Sequence, residues 1–307
     1  MTDVSVLTTM TAMSEVEVRA LGPADVVEVA ALGERRVAHG DAWEAPEPAA
    51  PGLVVRDGGR LVAAGWVEWW DESDGTHLYL LLGFVDPAAR GGGVGRRLLE
   101  ELELWATRHA AGRGVEATFG ANADDARPRA RAMLEAAGYR VAFTVVEMER
   151  SVAVGAEEPA PPEGLSFVPM TENRHREVHA LVEATFGTSR LGAVPRDFDE
   201  YLREVSATRS GLELWRLLEH DGRLVGVAVN VVADAVGDTP WVAVDPAYRG
   251  RGLGECLMRA SLSAFAAAGV PTATLSTIAE NPYRSVALYE RVGYAVTARL
   301  PRYRKPV

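Results

Sequence analysis

Residues 244–254, VDPAYRGRGLG, have a near copy in residues 85–95, VDPAARGGGVG, at an offset of 159. Eight of the eleven positions are identical. Two shorter matches flank the motif in the same order: Arg60-Leu61-Val62 with Arg223-Leu224-Val225, and Gly138-Tyr139 with Gly293-Tyr294. Ordered matches with slowly changing offsets indicate two copies of one domain. A period this long indicates a tandem duplication rather than a solenoid.

Length and composition agree with two folded domains. The chain has 307 residues, of which 48% are hydrophobic and 24% charged, as is typical of globular proteins. Its longest apolar run is far shorter than the roughly 20 residues that cross a bilayer. The start of the chain lacks the pattern of a signal peptide, and the single cysteine, Cys256, allows no intrachain disulfide. We therefore expect a cytoplasmic protein.

The net charge of −11, from 32 basic and 43 acidic residues, bears on the partners. It argues against nucleic acid and against anionic membranes, and it is compatible with a cationic small molecule such as an amine. We expect a monomer or a homodimer.

The boundary between the repeats shows in the composition. Residues 151–164, SVAVGAEEPAPPEG, contain three prolines and three acidic residues without apolar periodicity, as extended linkers do. We place domain one at residues 14–150 and domain two at residues 164–307, with residues 1–13 as a loose tail. Each repeat is predicted to run strand, helix, three strands, helix, strand, helix, strand.

Local signals predict several elements of the second repeat. Asp221-Gly222 predicts a hairpin turn, residues 252–268 a long helix ended by Gly269, and residues 272–278 a strand. Asn281-Pro282 predicts the start of a further helix, with the asparagine as N-cap.

The glycine-rich part of the motif lies between a predicted strand and a predicted helix. Glycines allow the backbone to approach a ligand, and the first helical N–H groups together with the helix dipole favour an anion such as a pyrophosphate. The alternative is a plain strand-to-helix turn, but recurrence at equivalent places in both repeats favours the ligand site. The residues are Arg249, Gly250, Arg251, Gly252, Leu253 and Gly254 in the second repeat, and Arg90, Gly91, Gly92, Gly93, Val94 and Gly95 in the first.

The spacing narrows the choice of phosphate ligand. The sequence has no G-x-x-x-x-G-K-[S/T], and G-x-G-x-x-G fails at its last position in both repeats. Arg-x-x-Gly-x-Gly after Val-Asp-Pro, followed at residues 280–294 by ENPYRSVALYERVGY, resembles the GCN5-related N-acetyltransferase (GNAT) family. In that family the first motif binds the pyrophosphate of acetyl-coenzyme A (acetyl-CoA).

The resemblance implies a fold and a coenzyme site. The expected fold class is α/β (α+β), with two tandem GNAT-type domains, each a mixed, mostly antiparallel sheet flanked by helices with a V-shaped coenzyme cleft. The strand before the loop would bind the pantetheine arm of acetyl-CoA, and no metal is expected. The strand residues concerned are Val242, Ala243 and Val244 in the second repeat, and Phe84 and Val85 in the first.

The resemblance also implies a catalytic acid. Asn281 matches the family's asparagine, and Tyr289 matches the tyrosine that protonates the departing thiolate. On helical spacing alone Tyr289 would be a packed aromatic residue, but the full motif favours the acid. Aligning the repeats puts Leu134 where Tyr289 stands. We therefore predict that domain one is coenzyme-binding or structural and that domain two is catalytic.

The predicted reaction is acetyl transfer from acetyl-CoA to a primary amine of a small molecule by direct attack. A base must remove a proton from the amine, and Asp238, Glu219 and Glu280 are candidates by location. One alternative is a tandem acetyltransferase resembling the mycothiol synthases, and another is a non-catalytic acyl-CoA-binding or sensor protein. His175 and His179 have metal-capable spacing, although a third ligand is not evident.

Overall fold

A computed structural model describes residues 16–41, 50–124, 126–186, 192, 194–207 and 211–307. The predicted tail, residues 1–13, lies outside the described residues. The chain divides into two compact units. The first comprises Met1–Trp69, Leu78–Ala121 and Pro306–Val307, and the second comprises Trp70–His77 and Asn122–Lys305.

The first unit is built on a sheet with the strand order β1-β2-β3-β4-β5. Strands β1 and β2 pair antiparallel, as do β2 and β3. The elements in chain order are β1 (Val16–Ala20), α1 (Val26–Ala38), β2 (Gly52–Asp57), β3 (Arg60–Asp71), β4 (His77–Val85), α2 (Val94–Arg113) and β5 (Ala117–Asn122).

The second unit has the strand order β12-β6-β11-β10-β9-β8-β7. The pairings are antiparallel except for a short parallel one between β10 and β11. The elements are α3 (Pro128–Ala136), β6 (Arg140–Ser151), β7 (Leu165–Val168), α4 (His175–Phe186), α5 (Phe198–Ala207), β8 (Arg216–His220), β9 (Arg223–Ala233), β10 (Val236–Val244), α6 (Leu253–Ala267), β11 (Thr272–Ile278), α7 (Ser285–Arg291) and β12 (Ala295–Pro306).

The sheet of the second unit is covered on both faces. Helix α6 packs on one face, where Phe265, Met258 and Leu275 belong to a shared apolar cluster. Helices α4 and α5 pack on the other face around Trp241 and Tyr201. Burial on both sides explains why β9 is an almost continuous run of buried apolar residues rather than an alternating strand.

The local turn signals correspond to observed turns. Asp221 and Gly222 both have positive φ, 49° and 75°, as a tight hairpin between β8 and β9 requires. Gly269, with φ of 71°, follows the end of α6. The N-cap prediction is wrong: α7 begins at Ser285, four residues after Asn281.

The two units do not follow the repeat boundary predicted at residue 150. Strand β6 ends the first repeat in sequence, yet all seven residues of β11 pair with it, Thr272 with Ser151 through Ile278 with Val145. Strand β12 pairs with the other edge of β6. The last strand of the first repeat is therefore an inner strand of the second unit.

Candidate functional site

The loop between β10 and α6 is held in shape by one carboxylate. Asp245 accepts a hydrogen bond from the Ala247 N–H at 2.9 Å and forms an ion pair with Arg223. Gly250 and Gly252 then adopt φ of 77° and 81°, a region that side chains other than glycine rarely enter. Helix α6 starts directly after the second glycine, where its first backbone bond runs from Cys256 N–H to the Gly252 carbonyl.

This loop is open and positively charged. The first N–H groups of a helix have no intrahelical acceptor. A Cβ added to Gly250 or Gly252 would meet no protein atom within 4 Å, so the loop leaves space beside these donors. The guanidinium of Arg249 lies 4.2 Å from the centre of the Tyr283 ring and donates to the Val244 carbonyl. The residues present therefore fit a pyrophosphate group.

The strand before the loop separates from its neighbour. Strand β10 pairs with β11 only over Val236–Asp238, opposite Thr272–Thr274. Beyond Asp238, β10 stays paired with β9 up to Val244, and β11 stays paired with β6. The two strands thus diverge into a V, and the edge of β10 around Val242 and Val244 no longer pairs with β11.

Helix α7 places Tyr289 in the core beside this V. The side chain is 9% exposed, and its ring packs edge-on against Tyr294 with ring centres 6.3 Å apart. Burial raises the pKa of Tyr289 to about 12, so its hydroxyl is protonated at neutral pH. Tyr289 is therefore both a packed aromatic residue and a group able to donate a proton.

Asn281 lies in the turn before α7. Its side-chain oxygen accepts from the Tyr283 N–H at 2.8 Å, and its carbonyl accepts from the Arg284 N–H at 3.0 Å. This local turn, together with the positive φ of 54° at Arg284, delays the start of the helix to Ser285. The side chain of Asn281 does form a capping hydrogen bond, but this bond stabilises a turn and not the start of the helix.

The three candidate bases have different surroundings. Glu219 is engaged by Arg174 in an ion pair, and Glu280 accepts the Thr144 N–H at 2.8 Å. Asp238 lies where β10 and β11 separate, and its carboxylate accepts a hydrogen bond from Thr274 Oγ1 at 3.1 Å. Burial raises the pKa of Asp238, which makes it a stronger proton acceptor than an ordinary aspartate.

Two further polar residues lie in this region, and the sequence pattern did not indicate a functional role for either. Asn230 is fully buried in β9, inside a run of apolar residues, and that polar interruption was the available signal. The Tyr294 hydroxyl is buried without a hydrogen-bond partner in the described part of the chain, and burial raises its pKa. Its sequence signal was weak, because a phenol and a phenyl ring fit the same apolar pattern.

The loop of the first repeat has the same backbone but different surroundings. Gly91 and Gly93 have φ of 89° and 83°, and α2 begins at Val94. However, Arg90 forms an ion pair with Asp41. Arg36 donates to the Val85 carbonyl at 3.1 Å and lies 5.0 Å from the centre of the Phe84 ring. The guanidinium of Arg90 and the Val85 carbonyl at the end of β4 are therefore already engaged by side chains of this unit.

The remaining residues that the sequence offered as metal-ligating or reactive candidates are His175, His179 and Cys256, and each is held by local packing or hydrogen bonds. His175 Nδ1 lies 2.9 Å from the Tyr201 hydroxyl, and His179 Nε2 lies 2.9 Å from the Arg196 carbonyl oxygen. Among the described residues, no three His, Cys, Asp or Glu side chains are grouped as metal ligands would be. Cys256 is buried, and burial raises the pKa of its thiol. None of the helices within the described ranges is long and apolar enough to cross a membrane.

Family models match both repeats. A model described as an acetyltransferase (GNAT) family matches residues 25–139, and one described as an acetyltransferase (GNAT) domain matches residues 212–296. Relatives named mycothiol acetyltransferase match this chain over most of its length. The protein of Beutenbergia cavernae is 32% identical over 297 residues, covering 92% of this chain and 91% of the relative. That of Clavibacter michiganensis is 32% identical over 226 residues, covering 72% and 70%.

Solved structures agree with the fold. A GCN5-related N-acetyltransferase from Sphaerobacter thermophilus superposes with a TM-score of 0.75 at 25% identity, covering 95% of each chain. A tandem GNAT protein from the clavulanic acid biosynthesis pathway superposes with a TM-score of 0.67 at 20% identity, covering 95% of this chain and 98% of that one. The second likeness supports the tandem fold alone.

Proposed function

Because this chain belongs to the GNAT acetyltransferase family, we propose that its second repeat transfers the acetyl group of acetyl-CoA to a primary amine of a small molecule. The observation that carries the proposal is the presence, in one unit, of the open loop at Gly252, the separated strands and the buried phenol of Tyr289. The first repeat has Leu134 at the position of that phenol.

Acetyl-CoA supplies an acetyl group activated as a thioester. The N–H groups and arginines of residues 249–254 would bind its pyrophosphate, because the loop is cationic and open. The edge of β10 from Val242 through Ala243 to Val244 would bind the pantetheine arm and polarise the thioester carbonyl with backbone N–H groups. Asn281, in the turn before α7, would also bind the coenzyme.

Two side chains would manage the protons. An alkylamine, with an ordinary pKa of about 10.4, is protonated at neutral pH and must lose a proton before it attacks. Asp238 is the proposed acceptor, because it lies at the point of the V and burial raises its pKa. Tyr289 is the proposed donor to the departing sulfur, because its hydroxyl is protonated across the neutral range.

The pH dependence of turnover tests the role of Asp238. As the base, it must be deprotonated, so kcat/KM should rise with pH through a pKa above the ordinary aspartate value of about 3.9. Asp238→Asn should lower kcat and remove that limb of the profile, while Glu219→Gln and Glu280→Gln should keep it. Retention of the limb in Asp238→Asn would assign the base elsewhere.

Domain two, residues 164–307, is proposed to carry the catalytic groups on a sheet that β6 completes, and domain one, residues 14–150, to be the coenzyme-binding or structural repeat. The ion pair of Arg90 with Asp41 supports this division, because a pyrophosphate entering the first loop would have to compete with a carboxylate. In the loop at Gly252, the guanidinium of Arg249 instead contacts the Val244 carbonyl and the Tyr283 ring.

A more specific acceptor is suggested by the relatives. Those that match this chain over most of its length are named mycothiol acetyltransferases, which favours the amine acetylated by those enzymes as the acceptor. The acidic net charge suits a cationic amine. We expect the reaction to take place in the cytoplasm.

A thiol-release assay tests the function. Purified protein with acetyl-CoA should release free coenzyme thiol only when a suitable amine is added, and a panel should contain simple amines and the amine acetylated by mycothiol acetyltransferases. Selective turnover of that amine would support the specific acceptor. Tight coenzyme binding by calorimetry without turnover on any amine would instead support the non-catalytic acyl-CoA-binding protein.

A further inference from the structure

A bulge in β10 lies where the V opens. In the pairing of β9 with β10, Val231 is opposite Asp238 and Val229 is opposite Trp241. Asn230 alone is therefore opposite two residues, Thr239 and Pro240. Such a bulge bends a strand and increases its local twist. Since Asp238 is also the last residue of β10 that pairs with β11, the bulge begins at the separation of the two strands.

The side chain of Asn230 holds this bulge. The residue has 0% exposure, and its amide makes three hydrogen bonds. Nδ2 donates to the Leu214 carbonyl at 2.8 Å and to Ser261 Oγ at 3.0 Å, while Oδ1 accepts from Thr239 Oγ1 at 2.9 Å. A buried amide is costly unless it is bonded, so these partners fix one orientation of the side chain.

Thr239, the bulge residue that is hydrogen-bonded to Asn230, in turn holds Asp238, the proposed base. The Thr239 N–H donates to the carboxylate of Asp238, and Thr274 Oγ1 donates to the same carboxylate from β11. Thr239 is thus bonded to Asn230 through its hydroxyl and to Asp238 through its backbone. A continuous path of hydrogen bonds runs from the buried amide to the carboxylate at the point of the V.

We propose that Asn230 is a positioning residue, which fixes the bulge through Thr239 and thereby holds β10 away from β11 and orients Asp238. This role rests on the proposed function of the second repeat. Alignment of the repeats on Arg60 and Arg223 places Val67 at the position of Asn230. A valine cannot form these bonds, so the repeat without the acid also lacks the amide that fixes the bulge.

The test uses a substitution that conserves shape. Thr239→Val removes the hydroxyl bond to Asn230 and keeps the volume of the side chain. Thr185→Val is the matched control, because it removes one hydroxyl bond, to the Leu181 carbonyl, from a residue of α4 outside this path. Tyr289→Phe is measured in parallel as a test of the proposed function itself.

The value of kcat and the rate of amide hydrogen exchange decide the role, and coenzyme affinity is measured beside them. In Thr239→Val, kcat should fall by about tenfold to a hundredfold, since small misplacements of reacting groups have effects of this size. Coenzyme affinity by calorimetry should fall by a smaller factor than kcat, because residues 249–254, which would bind the pyrophosphate, are untouched. In the unliganded protein, amide hydrogen exchange over residues 236–244 should become faster. Thr185→Val should match the original protein in all three measurements.

The possible outcomes separate a failure of the positioning role from a failure of the proposed function. A lower kcat together with faster exchange in Thr239→Val supports the positioning role. Exchange that stays slow in this variant overturns the role, whatever the activity, because the bulge would then be held by other contacts. Unchanged kcat in Thr239→Val alongside impaired Tyr289→Phe also overturns it, while the proposed function stands. If Tyr289→Phe is fully active, the acid assignment fails, and hydrogen exchange alone still decides whether Asn230 holds the bulge.

Discussion

Tyr289 shows how one side chain can serve packing and chemistry together. Its ring belongs to the apolar cluster under α6, with Val292 and Tyr294. The same burial that stabilises the ring disfavours the phenolate, which raises the pKa of Tyr289 to about 12. A group that keeps its proton at neutral pH is what a departing thiolate requires. Packing and the protonated state of the hydroxyl therefore have a common physical cause, although the raised pKa also makes the phenol a weaker acid.

Tyr289→Phe separates these two contributions. The ring is retained, so the melting temperature should change little, while the loss of a general acid should lower kcat by about 10²–10⁴-fold. Single-turnover kinetics, in which chemistry limits the signal, provides the measurement. A fall of less than about threefold, well below the usual range for general-acid catalysis, would remove Tyr289 from the mechanism.

Gly252→Val tests the loop at the level of one residue. The substitution places a branched side chain in the open space beside the helix N–H groups and forces a φ of 81° on a residue that disfavours it. The strain should lower stability by about 1–3 kcal/mol. Coenzyme affinity in the second repeat and turnover should both be lost.

Two further variants separate strain from obstruction. Gly269→Val imposes comparable strain at a φ of 71° with equally open surroundings, but away from the loop, so activity should survive. Gly93→Val makes the equivalent change in the first repeat and should leave most of the turnover. Turnover that survives Gly252→Val but is lost with Gly93→Val would reverse the assignment of the catalytic repeat.

At the level of elements, the contact of α6 with β10 depends on a residue without a side chain. A Cβ on Gly237 would lie 2.6 Å from Cδ1 of Phe265, so the helix can approach the strand only because the position is glycine. This close approach determines the position of α6 on the sheet. The first turn of α6 also forms part of the proposed pyrophosphate site. The packing of the element and the geometry of the site are therefore connected.

Gly237→Ala should destabilise the protein by about 1–3 kcal/mol, because the added methyl overpacks the core. Gly112→Ala is the contrasting variant, since it lies in α2 with nothing within 4 Å of the added Cβ. It should stabilise the protein by about 0.5–1 kcal/mol through helix propensity. Denaturant unfolding measures both, and equal midpoints for the two variants would contradict the packing argument.

The elements also show what the sequence could predict. The loop, the strand before it and the long helix followed from glycine spacing and apolar pattern, because these signals are local. The start of α7 was misplaced because an Asx turn at Asn281 uses the same residues as a helix cap. The partner of β6 could not be predicted, since alternation defines the faces of a strand and not its neighbours.

At the level of the whole molecule, the second unit needs a strand that the first repeat encodes. Strand β6 pairs with β11 over seven residues and with β12 over nine. A fragment of residues 164–307 lacks β6, so β11 and β12 would expose unpaired N–H and C=O groups. We expect this fragment to aggregate or unfold, and a fragment of residues 122–307 to keep its sheet.

Far-UV circular dichroism and size-exclusion chromatography of the two fragments provide the comparison. Calorimetry with acetyl-CoA adds a functional measure, because the loop at Gly252 is present in both. A monomeric, fully active fragment of residues 164–307 would show that β6 is dispensable.

Strand β6 also constrains how the gene can evolve. After a duplication, one copy is normally free to decay and finally to be deleted. Here the first repeat has Leu134 where the second has Tyr289, but a truncation that removed residues 140–151 would take an inner strand from the sheet that bears the site. The part of the gene that encodes β6 must therefore be kept together with the second repeat, even though only the second repeat has the proposed catalytic residues.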